Sequence, residues 1–177
     1  MRTKYIFLGL SLLCLLAGCS LSKEKQQEKI AGLEKSVMDE NDTTRQQELF
    51  KCYDSYIGKF PDDSLSPEYL FRKAGILRVE KQGDAALDAL AEIVNRYPQS
   101  PRVVECYFLR GLIYEEVFYD QELAKKAYQS FIDRYPDHPL ADNARYSIRY
   151  LGMSNEEIIA SFSAPDGTQT SESNTEE

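Results

Sequence analysis

Asn95-Arg96-Tyr97-Pro98-Gln99-Ser100-Pro101 returns almost intact as Asp133-Arg134-Tyr135-Pro136-Asp137-His138-Pro139. A looser copy stands earlier, Gly58-Lys59-Phe60-Pro61-Asp62-Asp63-Ser64-Leu65-Ser66-Pro67. Each copy places an aromatic before a proline, then a short polar turn, then a second proline. The first proline cannot donate to a helix ladder and drives its predecessor out of the α region, so a helix must stop at the aromatic. The second proline suits the first turn of a new helix, where its missing N–H needs no partner. Ser66 and Ser100 precede that proline, where a hydroxyl can cap the next helix. Each unit thus reads as helix end, tight turn, helix start. Pro61, Pro98 and Pro136 stand 37 and then 38 residues apart. A fixed period of that length, filled by two helices, marks an all-α solenoid.

Composition bounds the rest. The 177 residues carry a formal net charge of −8, 42% hydrophobic residues and no Trp, enough for one modest domain. A nucleic-acid binder would show a basic footprint, and this chain is acidic. It also lacks the polybasic patches that hold peripheral proteins to anionic lipid. After Arg149 come six acidic residues and no Lys or Arg, so much of the net charge lies near the C-terminus.

Working outward, the chain reads as follows. Residues 1–18 read as a signal peptide: Arg2 and Lys4 begin it, and the 14 residues from Tyr5 to Gly18 are apolar but too short to span a bilayer. Residues 19–40 hold Cys19, a polar tether from Ser20 to Lys29, and a first helix carrying Ile30, Leu33, Val37 and Met38. Residues 41–162 form the helical domain. The Asn41-Asp42-Thr43-Thr44 cluster opens it, and Leu49, Phe50, Tyr53, Tyr56, Ile57 and Phe60 line a helix ending at Pro61. From Pro67 a first helix carries Tyr69, Leu70, Ala74 and Leu77, and its partner carries Ala86, Leu87, Leu90, Ile93, Val94 and Tyr97. The next pair has Cys106, Tyr107, Leu109, Gly111, Ile113 and Tyr114, then Leu123, Ala124, Tyr128, Phe131 and Ile132. A third opener starts at Pro139, with Ala141, Ala144, Tyr146, Ile148 and Leu151. Ser154 and Glu157 have the spacing of a capping box before Ile158, Ile159 and Phe162. Residues 163–177 hold little to bury and read as a disordered acidic tail.

Two resemblances follow from these residues. Leu16-Ala17-Gly18-Cys19 resembles a bacterial lipobox, which implies lipidation of Cys19 and its exposure as the new N-terminus. Several acyl chains, at about 0.8 kcal/mol per buried methylene, would hold such a protein on a membrane. Ser20, where an Asp would imply retention in the inner membrane, implies by this resemblance the outer membrane and a periplasm-facing domain. The repeats resemble the tetratricopeptide repeat (TPR): Ala86 and Ala124 match its small residue early in the second helix, Ile93 and Phe131 the large residue seven further on, and Pro98 and Pro136 its closing proline. In the first helix Ala74 or Gly75, and Gly111 followed by Tyr114, match the small position. The period exceeds the usual 34 or so residues, and the chain has room for about three repeats. Long periods with a Tyr-Pro-x-Ser-Pro junction resemble the outer-membrane-barrel assembly lipoprotein of the BamD/ComL type, and a periplasmic coordinator of the Tol-Pal system.

Little in the sequence suggests catalysis. His138, between Asp137 and Pro139, reads as a solvated turn residue, and no Cys/His cluster with zinc spacing accompanies it. Asp62-Asp63 lacks the spaced oxygens of a calcium loop, and Glu115-Glu116 reads as a solvated pair. There is no Gly-rich phosphate loop and no nucleophile elbow. Cys52 and Cys106 read as two buried thiols, because a whole helical pair separates them. No cofactor, metal or nucleic acid is expected, and no enzymatic activity. Binding has more support: the first helices of such an array line a concave groove able to hold a protein or peptide segment. The groove candidates are Tyr69, Arg72, Lys73, Arg110, Tyr114, Arg145, Tyr146 and Arg149, since Tyr and Arg anchor interfaces. The resemblance implies an outer-membrane, lipid-anchored interaction scaffold working in β-barrel protein assembly; the alternative is an envelope adaptor for cell division or Tol-Pal and peptidoglycan maintenance.

Overall fold

A computed structural model describes residues 23–37 and 43–163, so the expectations for the signal segment, Cys19, Met38, the Asn41-Asp42 pair and the tail past Ser163 fall outside the described residues. The described residues are all helix and turn. Helix α1 covers residues 23–37. Then come α2 (Thr43–Lys59), α3 (Leu65–Val79), α4 (Gly83–Arg96), α5 (Arg102–Glu116), α6 (Gln121–Arg134), α7 (Leu140–Tyr150) and α8 (Asn155–Ser163). They form a TPR-like solenoid of antiparallel helical hairpins.

The aromatic–proline turns repeat at the level of single hydrogen bonds. The carbonyls of Phe60, Tyr97 and Tyr135 accept from the N–H groups of Asp63, Ser100 and His138. The carbonyls of those three residues accept in turn from Ser66, Val103 and Ala141. Their side chains do the same work two residues on: Asp63 Oδ1 accepts from Leu65 N at 2.9 Å, Ser100 Oγ from Arg102 N at 3.2 Å, and His138 Nδ1 from Leu140 N at 3.2 Å. The expectation for Ser100 therefore holds. That for Ser66 does not: its buried hydroxyl donates backward to the Phe60 carbonyl at 2.7 Å, fastening the end of α2. The reason is the place of the second proline, since all three turns run five residues between helices. Pro101 and Pro139 sit one residue ahead of their helices, whereas Pro67 lies inside the first turn of α3, where its missing N–H costs nothing. His138 is likewise a turn-forming acceptor set edge-on to Phe131, with ring centroids 5.8 Å apart, and not a merely solvated residue.

The opposite turns also recur. Lys81 and Tyr119 are 38 residues apart and both take the left-handed conformation that ends α3 and α5. Asp120 then caps α6 by accepting from Leu123 N at 2.8 Å. At the C-terminus the expected capping box forms: Glu157 accepts from Ser154 N at 2.7 Å, and Ser154 Oγ from Glu157 N at 3.2 Å.

The second helices share one register. Leu49, Ala86 and Ala124 are equivalent, as are Tyr53, Leu90 and Tyr128, and Tyr56, Ile93 and Phe131; all nine are 0% exposed. So α1–α2 is a hairpin of the same kind as α3–α4 and α5–α6. Between facing helices the small positions matter. A Cβ on Gly111 would stand 2.4 Å from the Tyr128 ring, so only glycine lets α6 approach α5 this closely. Ala74 at the same place in α3 is fully buried. Two apolar clusters result, one from α1 to α5 and one from α5 to α7, joined through Leu112. Cys106 lies wholly within the first, where burial pushes its thiol up to about 12; Cys52 is half-buried, and both are free.

The segment expected as a tether is partly helix. From Lys23 onward it packs on the array: Lys23 pairs with Asp63, Gln27 Nε2 donates to Tyr56 Oη at 2.8 Å, Lys29 meets Glu48 at 2.8 Å, and Ile30 is 1% exposed. Its polar composition supplies partners for α2 and the next turn; it was read as linker because those partners are distant in sequence.

Candidate protein-interaction surface

The first helices of successive hairpins, α1, α3 and α5, lie side by side. Helix α3 touches α5 directly, while the second helices α4 and α6 make no such extensive contact. The array therefore closes on the first-helix side, which is its concave face. That face is crossed by one ladder of ion pairs. Arg72 on α3 grips Glu34 on α1 at 2.8 and 3.0 Å and Glu68 at 3.0 Å. Glu68 also receives Arg102 of α5 at 2.6 and 3.1 Å, and Arg102 reaches Glu105 at 2.7 Å while stacking over Phe71. Farther along, Arg78 pairs with Glu116. Burial pushes the Glu68 carboxyl up, but Arg102 and Arg72 pull harder, so it lies below its ordinary value. Burial likewise lowers Arg72, and Glu34 and Glu68 reverse this. Half-exposed pairs of this kind stabilise by small amounts each. Their main effect is to fix the rotation of each first helix against the next.

The eight groove candidates do not form one site. Tyr69 is 4% exposed, stacked on Tyr53 and edge-on to Tyr56, so it is core. Arg72 is committed to the ladder, and Lys73 to Asp54 at 2.7 Å and the Phe50 ring. Arg110 and Tyr114 line a different cleft of about 350 Å³, between α4 and α5, together with Tyr107, Leu87 and Val94. Arg145 pairs with Asp142 at 2.8 Å. Tyr146 is half-exposed and stacks on Tyr150 at 4.5 Å, and Arg149 is exposed on the same end of α7. Among the described residues Arg110 and Arg149 make no ion pair. The reason for this scatter is rotational: Arg72, Arg110 and Arg149 occupy three different register positions, equivalent to Leu109, Lys73 and Gly111 respectively.

A recess that sequence reasoning missed opens between α1, α2 and α3. Its volume is about 470 Å³. Leu49, Tyr53, Val37, Ile76 and Val79 supply its apolar lining, Gln46 is buried within it, and Glu34, Arg72 and Glu80 are its charged lining. Gly75 lines it, and a Cβ there would meet nothing within 4 Å. Tyr53 Oη donates to Glu34 at 2.7 Å, holding that carboxylate in place. Val79 is 66% exposed. The usable signal was Val79 itself, an apolar residue off the Tyr69, Leu70, Ala74, Leu77 stripe. The arrangement can hold an apolar side chain of a peptide between a carboxylate and a guanidinium; it offers no nucleophile with a base.

No curated protein matches the chain. The family model for the tetratricopeptide repeat matches residues 68–100 and 105–138, the two hairpins α3–α4 and α5–α6 with their closing turns, and an array of such repeats is a protein-interaction scaffold.

Proposed function

We propose that this protein is a non-enzymatic scaffold of a bacterial envelope, held to the outer membrane by lipid on Cys19, which captures an apolar segment of a partner in the recess between α1, α2 and α3. The observation that carries the binding part is that recess: a mainly apolar space of about 470 Å³ between α1, α2 and α3, with Val79 open to solvent and Glu34, Arg72 and Glu80 in its lining. The anchoring part is supported by Leu16-Ala17-Gly18-Cys19 after an apolar run. Assembly of outer-membrane β-barrel proteins is the specific role the long aromatic–proline period favours.

The test is affinity capture of the full chain in mild detergent, beside Val79→Glu and Gly75→Leu. Both substitutions fall in or beside open space and should leave the melting temperature nearly unchanged. Recovery of a barrel-assembly protein by the parent and its loss from both variants supports the reading. Recovery of Tol-Pal or peptidoglycan-binding proteins instead would assign the adaptor role, and capture insensitive to both substitutions would remove the recess. Fatty-acid labelling of the parent and of Cys19→Ala tests the anchor separately; equal label in both sinks it.

A further inference from the structure

In each complete hairpin the first helix presents a fixed set of residues to the second. On α5 these are Phe108, which meets Tyr128 and Phe131 at 5.6 Å each, Gly111, which leaves room for the Tyr128 ring, and Leu112. The backbone register carries those positions 38 residues on, to Tyr146, Arg149 and Tyr150 of α7. The other face of α7 behaves as the register requires, since Ala141 and Ala144 are buried against α6. Among the described residues, the face that should meet a second helix is covered only in part, by Phe162 of α8 on Tyr150. Tyr146 is 51% exposed, and Arg149 is exposed without an ion pair among the described residues. Helix α7 ends a turn early, Gly152 turns the chain away at φ 79°, and α8 makes no extensive contact with another helix, its ring contact being Phe162 on Tyr150 at 5.7 Å.

We infer that Tyr146, Arg149 and Tyr150 form a docking slot for one amphipathic helix of a partner protein, which completes this last hairpin in trans. The chemistry of that helix follows from the substitutions within the register. Tyr146 keeps the aromatic character of Phe108, so the partner places an apolar or aromatic residue against it, as α6 places Phe131. Arg149 stands where Gly111 admits the Tyr128 ring. An arginine there fills that space and leaves a cation, so the partner carries a carboxylate three residues before its aromatic. The partner motif is acid-x-x-aromatic on one helical face. This slot is separate from the concave recess and does not depend on it.

The probe is a stapled peptide with the α6 sequence, residues 121–134, carrying Tyr128→Glu; stapling offsets the weak helicity of a free peptide this short. Binding to the full chain is read by fluorescence anisotropy, and its place by the response of a label at Asn143→Cys, exposed one turn before Tyr146. The expected result is saturable binding that Arg149→Glu weakens by about tenfold or more. A second peptide with Tyr128→Lys should restore binding to Arg149→Glu, a rescue that a merely structural role for Arg149 would not produce. Lys126→Glu, on the exposed side of α6, should change nothing. No binding by the glutamate peptide, equal binding to Arg149→Glu, or no rescue by the lysine peptide would overturn the slot. Arg149-dependent dimerisation of the chain in light scattering without peptide would overturn the partner in favour of α8 from a second copy.

Discussion

Asp63, Ser100 and His138 differ in charge, size and polarity, yet each accepts an N–H two residues on and starts the next helix. The turn asks only for a short side chain with an acceptor in reach. His138→Ala should therefore destabilise by about 0.5–2 kcal/mol, while His138→Asp, the residue of the first copy, should retain or raise stability. Urea unfolding of both variants decides it; equal loss in the two would deny the acceptor role. The glycines make an opposite pair. Gly111→Val should cost about 1–3 kcal/mol, because the added carbons meet the Tyr128 ring in a closed core. Gly75→Ala should gain about 0.5–1 kcal/mol, since nothing stands near its Cβ and alanine favours the helix. At this scale the sequence was informative about small residues and aromatic–proline junctions, which local sterics dictate. It misplaced the hydroxyl of Ser66 because the five-residue turn is the same in all three copies while Pro67 stands three residues later in its copy, inside the helix, so the serine before it is not the capping one.

Elements differ in how much they depend on one another. Helix α8 starts from its capping box and makes no extensive contact with another helix, so Ser154→Ala should weaken it locally, by about 1 kcal/mol, without moving the global unfolding midpoint. Hydrogen exchange would show faster amides in α8 alone; faster exchange in α5 or α6 would mean α8 is coupled to the core. Helix α1 and the α2–α3 turn are joined through Asp63, and α3 is joined to α5 through Glu68. Burial pushes the Asp63 carboxyl up, but Lys23, Leu65 N and Tyr56 pull it below its ordinary 3.8, and Glu68 lies below 4.5 for the analogous reason. A carboxyl whose folded value is depressed contributes stability above its unfolded value and loses it as pH falls through the folded one. Stability should thus drop below about pH 4.5, and Glu68→Gln or Asp63→Asn should flatten that drop. Denaturant midpoints at about pH 6 and about pH 3 give the comparison, and an unchanged drop in both variants would place the acid sensitivity elsewhere. None of this ladder was legible beforehand. Which arginine meets which glutamate depends on helix rotation across neighbouring hairpins, and periodicity alone puts Arg72, Arg110 and Arg149 on one face when the register puts them on three.

The whole molecule has two edges. The aromatic–proline turns at Pro61, Pro98 and Pro136 lie along one, and the left-handed turns at Lys81 and Tyr119 along the other. First helices of 15 residues, such as α3 and α5, set the edges about 22 Å apart. Helix α1 begins on the proline edge, because Lys23 pairs with Asp63 there. Cys19 precedes Lys23 by four residues, which can span at most about 14 Å. Under the proposed anchoring the proline edge must then lie against the bilayer, with the left-handed turns pointing away and the recess toward them, since Val79 and Glu80 line it next to Lys81. A fluorophore at Gln99→Cys should be quenched by nitroxide lipids, and one at Tyr119→Cys should not. Equal quenching at both edges, in a protein that still floats with membranes, would break the short link between Cys19 and α1 while leaving the anchor in place. A protein that does not float at all would instead dismiss the anchor, leaving the solenoid and its recess as they are.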